Sequence, residues 1–110
     1  MNVTESSKNP LFSDLAGDED MLDLLESFVS QLPNRASAMT AAFESGDVAQ
    51  AKVLAHQLKG AAGSYGFTPI SEACLAFEGC IAESGTGDAT RSALDGVVEL
   101  CLRATHLPPG

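Results

Sequence analysis

The residues best suited to chemistry lie in one run, Ala55-His56-Gln57-Leu58-Lys59-Gly60-Ala61-Ala62-Gly63-Ser64-Tyr65-Gly66. Successive residues of an α-helix turn by about 100°, which sets His56 roughly 160° from both Leu54 and Leu58. If those leucines face a core, the imidazole faces water. The same spacing puts Lys52, Lys59, Gly60 and Gly63 on the outward face with it, four residues before and three, four and seven after. An imidazole standing in water is mostly uncharged at neutral pH and nucleophilic at a ring nitrogen. A phosphoryl group bonded there would carry about two negative charges, which Lys59, and Lys52 beyond it, are placed to stabilise without holding them irreversibly.

The glycines sharpen this expectation. Each costs a helix ~1 kcal/mol relative to alanine, so Gly60 and Gly63 together cost about 2 kcal/mol. Tight helix packing would explain them on an apolar face, but both fall within about 20–40° of His56 on the polar one. Removing side chains there opens a flat approach along which a second protein's active site reaches the ring for in-line transfer. Ala49 and Val53, near Gln57 and Ser64 on the His56 side, would supply the apolar part of such a docking surface.

Helices are the elements expected to position these groups. Asn9-Pro10 followed by Leu11, Phe12 and Leu15 predicts a short covering helix, with residues 1–8 polar and loose. An acidic start at Asp18-Glu19-Asp20 precedes Leu22, Leu25, Val29, Leu32, Ala36, Met39 and Phe43, an apolar stripe of about six turns. Pro33 frees the carbonyl of Val29, and a kink is expected there. Ser45-Gly46 ends this helix and Asp47 caps the next, which buries Ala51, Leu54, Leu58, Ala61 or Ala62, and Tyr65 before a left-handed cap at Gly66. Thr68-Pro69 starts another, with Ile70, Ala73, Cys74, Phe77 and Ile81 inward. After the turn Ser84–Gly87, capped forward by Asp88, the last helix buries Leu94, Val97, Val98, Cys101 and Leu102. The fold class expected is all-α, an antiparallel up-down-up-down four-helix bundle with a short N-terminal covering helix, formed by one domain over residues 9–107.

Composition narrows the function. At 110 residues the chain holds one core. Fifteen acidic against six basic residues give a net charge of −9, which argues against nucleic acid or anionic membrane as a partner. Against that background the segment 47–66 carries two lysines and one aspartate, so positive charge is kept beside His56. Cys74, Cys80 and Cys101 lack a C-x-x-C pair and read as core thiols of a reducing compartment. No long apolar run or leader is expected, which makes the cytoplasm the default. No second histidine lies four residues from His56 and no inward Glu-x-x-His occurs, so no metal is expected. Neither a P-loop nor a G-x-G-x-x-G spacing provides a nucleotide site.

The run His56-x-Leu58-Lys59-Gly60, followed by Gly66, resembles the H-x-L-K-G-[S/A]-x-x-x-x-G signature of histidine phosphotransfer domains. The likeness extends over nearly the whole chain: a lead helix, a long helix with Leu32-Pro33, Gly46-Asp47 before the histidine helix, and two closing helices. It implies that His56 is the phosphoacceptor, Lys59 a phosphoryl-stabilising group and Gly60 the open approach, with Lys52, Gln57 and Gly63 around them. Ala61 stands where the family often has serine, and Gly63 where it is usually bulkier. The implied partners are response-regulator receiver domains or a sensor histidine kinase, with Mg²⁺ held by the receiver and no cofactor here. The chain would be a carrier without autonomous kinase activity, working as a monomer. The alternatives are a helical interaction module that is never phosphorylated, and a catalyst with His56 as general base, which would need a concave pocket.

Overall fold

A computed structural model describes residues 9–109; the expectation for residues 1–8 lies outside the described residues. Four helices make up the fold: α1 (Leu22–Glu44), α2 (Val48–Ser64), α3 (Thr68–Ser84) and α4 (Asp88–Arg103). Each follows the last after three residues, so successive helices run antiparallel. α2 packs on α3, α3 on α4, and α1 touches both α2 and α4, which closes the bundle. The expected up-down-up-down arrangement is present.

Local chemistry sets the turns. Gly46 and Gly66 both take φ +79°, the left-handed region where a side chain is strained. The Asp47 carboxylate accepts a hydrogen bond from the Gln50 backbone N–H at 3.1 Å and caps α2. Pro69 occupies the first turn of α3, where its missing N–H leaves no bond unmade. Asp88 is the first residue of α4 rather than its cap; Gly87 holds the cap position without a side-chain bond. α1 remains one helix through Pro33.

The core is a single cluster to which each helix contributes a stripe. On α1 Phe28 follows Leu25 into the core and Val29 stands at the edge, because Phe28 stacks on Tyr65 at 4.7 Å and on Phe67 at 5.9 Å between ring centroids. On α2 the buried line is Ala51, Ala55, Leu58 and Ala62, with Leu54 only partly covered. Small residues at three of these four positions let α2 lie close to its neighbours. On α4, Leu102 points outward at 64% exposure, against expectation.

The N-terminal covering segment differs from the predicted helix. Leu11–Phe12 forms a two-residue strand, β1, paired in parallel with β2 (Ala104–Thr105) directly after α4. The one helical turn in the segment is Glu19–Met21, capped by the Asp18 carboxylate. Five or six residues cannot offset the nucleation cost of a helix alone. Here the competing bonds are better: Arg103 Nε donates to the Asn9 carbonyl at 2.7 Å, and β2 offers an open edge.

The segment then crosses the α2–α3 turn. Ser13 Oγ donates to the Tyr65 carbonyl at 2.6 Å, and the Asp14 N–H donates to the Gly66 carbonyl at 2.9 Å. A Cβ on Gly66 would stand 2.5 Å from Ser13 Oγ and 3.0 Å from Asp14 N. Gly66 is thus required twice, for its dihedral and for the seat of this segment.

Candidate functional site

The site is built from the middle of α2 and the facing turns of α3. Because Ala55 and Leu58 are fully buried, the intervening His56 is turned outward, and its side chain is 73% exposed. Lys59 lies one turn on but closer to α3, where its side chain is only 28% exposed. Lys52, Gln57, Gly60 and Gly63 are exposed on the same helix. Lys52 makes no ion pair among the described residues.

The structure brings to this group a residue that the sequence reading missed. Glu78 on α3 is 20% exposed and divides its carboxylate between two partners. Oε1 accepts a hydrogen bond from Lys59 Nζ at 2.8 Å, while Oε2 lies 3.4 Å from His56 Nδ1. The first is a short charge-assisted bond; the second is long for a hydrogen bond but electrostatically close. A carboxylate facing Nδ1 favours the tautomer with its proton there, and the lone pair then resides on Nε2 at the far side of the ring.

Helix spacing explains why Glu78 arrives at this place. Ser71 and Glu78 are seven residues apart on α3 and share one face. Ser71 Oγ donates to the Lys59 carbonyl at 3.0 Å, which fixes the register of the two helices. Cys74 and Phe77, fully buried beside them, hold this stretch of α3 against the core. Burial pushes the Cys74 thiol up to about 12, with Cys101 and Glu78 adding to the rise and Lys59 opposing it.

The two glycines behave differently. A Cβ on Gly60 would meet nothing within 4 Å, so the backbone there is open to solvent with no packing demand. A Cβ on Gly63 would come 3.7 Å from Ser71 Oγ, an ordinary contact that helix packing neither requires nor forbids. Two large apolar side chains on these helices are exposed, Val53 on α2 at 48% and Leu75 on α3 at 59%. Leu75 lies on the side of α3 that carries Ser71 and Glu78, four after one and three before the other. The sequence reading named Val53 and missed Leu75, because its place depends on the α2–α3 register.

The arrangement is a nucleophile in water, backed by one carboxylate and one ammonium, with bare backbone one turn on and exposed apolar side chains on the same two helices. Among the described residues no group of three His, Cys, Asp or Glu side chains could hold a metal ion, and no helix is long and apolar enough to cross a membrane. A family model described as the Hpt domain matches residues 23–106, which includes all of these groups. No curated protein and no solved structure matches the chain.

Proposed function

We propose, for a chain that belongs to the Hpt domain family, that it is a phosphorelay carrier with His56 as the phosphoacceptor. It takes a phosphoryl group from the aspartyl phosphate of a response-regulator receiver domain, or from a sensor histidine kinase, and passes it to another receiver. One observation carries the reading: an imidazole 73% exposed whose Nδ1 faces a carboxylate, leaving Nε2 free to attack.

In this reading the Nε2 lone pair attacks the phosphorus, the P–O bond to the donor aspartate breaks, and that carboxylate takes the electron pair. Lys59 stands beside the new dianion, with Lys52 available at longer range. Gly60 is the open ground over which the partner comes close enough for in-line geometry, and Gly63 widens it. Gln57 lies at the edge of the docked area. Val53 and Leu75 give the partner apolar surface to bury. The Mg²⁺ that neutralises charge in such a transfer belongs to the receiver. The chain acts as a monomer in the cytoplasm, a setting supported by three cysteines that all stand as free thiols.

The test is transfer of label from a phosphorylated receiver to the wild type and to His56→Gln. The wild type gains acid-labile, alkali-stable phosphate and the variant gains none. Label retained on His56→Gln overturns the assignment.

A further inference from the structure

Lys59, the cation expected to steady a phosphoryl group, is already engaged in the resting protein. Glu78 holds it at 2.8 Å and with its other oxygen faces His56 Nδ1 at 3.4 Å. A residue serving only to store phosphate would gain from leaving that ammonium free. The turn of α3 that carries this carboxylate is fixed against the core by fully buried Cys74 and Phe77. The charged groups that face His56 are Lys52 and Lys59 from its own helix and Glu78 from α3.

We propose that Glu78 makes the phosphoryl group on His56 readily transferable, by competing with its oxygens for Lys59 and by keeping the proton on Nδ1 while the N–P bond breaks. This rests on the carrier reading and deepens it.

When the group leaves, the N–P bond at Nε2 breaks and its electron pair returns to Nε2. With Nδ1 protonated the departing ring is a neutral imidazole; without that proton it would be an imidazolate, a far poorer leaving group. A carboxylate beside Nδ1 favours the protonated ring. The phosphorus goes to the carboxylate of a receiver or, in its absence, to water. Lys59, shared between two anions, holds the phosphoryl oxygens more weakly than it would alone. Glu78 is a positioning residue here, acting through His56 and Lys59 without touching the phosphoryl group.

The experiment loads His56 with phosphoramidate, a small donor that needs no docking surface, and follows phosphate release against pH. In Glu78→Gln the side chain keeps its shape and a hydrogen-bond acceptor for Lys59 but loses its charge. Its phosphohistidine half-life at neutral pH lengthens, because the carboxylate 3.4 Å from Nδ1 that keeps the proton there while the N–P bond breaks is gone. The falling limb of release rate against pH moves to lower pH. Glu78→Asp, which keeps the charge, stays near the wild type. Lys59→Gln shortens the half-life more in the Glu78→Gln background than in the wild type, because there a neutral amide, and not a second anion, competes with the phosphoryl oxygens for the ammonium. An unchanged half-life and pH profile in a folded Glu78→Gln, or an Asp variant that behaves like the Gln variant, overturns the inference and leaves the carrier reading standing. Absence of phosphate on wild-type His56 overturns both.

Discussion

Gly60 provides the sharpest test of how the site is used, because stability and function should move in opposite directions. A Cβ at this position meets nothing within 4 Å, so alanine introduces no clash. It removes the entropic penalty of an interior helix glycine, and Gly60→Ala should stabilise the fold by ~1 kcal/mol. For a domain of this size that raises Tm by about 4–8 °C. Gly60→Leu should keep most of the gain, since leucine is nearly as good a helix former. Partner access should suffer instead. The reacting atoms must come within about 3–3.5 Å, and displacement by 1 Å costs ~10²-fold in rate. A leucine one turn from His56 stands in that path, so transfer from a phosphorylated receiver should fall by ~10²-fold or more. Loading by phosphoramidate should remain at the wild-type rate, because a small donor passes a single side chain. Thermal melts, receiver transfer and phosphoramidate loading on the same preparations check all three. Normal receiver transfer in Gly60→Leu, or a lower Tm in Gly60→Ala, would show that the open face is not kept for docking.

Four further outcomes follow from the geometry. Gly66→Ala should destabilise by about 2–3 kcal/mol in denaturant melts, since it strains a residue at φ +79° and drives a methyl into Ser13 and Asp14. Thr90 is fully buried, with no hydrogen-bond partner for Oγ1 among the described residues; Thr90→Val should gain about 1 kcal/mol by removing that hydroxyl. The Cys74 and Cys101 thiols, pushed up by burial to about 12 and about 11, stay protonated at pH 8, so iodoacetamide should label half-buried Cys80 first in the native protein. Nitrogen-15 spectra of the neutral His56 ring should show the proton on Nδ1, and Glu78→Ala should shift the tautomer balance toward Nε2.

What the sequence made legible, and what it hid, follows from the range of the interactions. His56 outward and Leu58 inward depend only on helical period, and both are found. The turns at Gly46 and Gly66 are likewise local, because a left-handed residue is written in the glycine itself. Val29 displaced by Phe28 is a small rotational error, caused by an aromatic stack onto Tyr65 and Phe67 that no local pattern contains. Glu78 and Leu75 were out of reach for a stronger reason. Their relation to His56 is set by how far α3 slides along α2, which the Ser71–Lys59 bond and buried side chains decide. The covering helix failed on the longest range of all. Leu11 and Phe12 find their partners at Ala104 and Thr105, at the other end of the chain, and a distant strand outcompetes a weak local helix.

That strand pair also bears on how tension would travel through the domain. β1 and β2 are parallel, so pulling the chain backward from Asn9 and forward from Thr105 slides one strand along the other. Their bonds then share the load instead of opening one at a time, and the Arg103 anchor on the Asn9 carbonyl is stretched with them. A tether attached to either end would meet this small clamp before reaching the helices. The face that carries His56 would keep its shape until the clamp gave way.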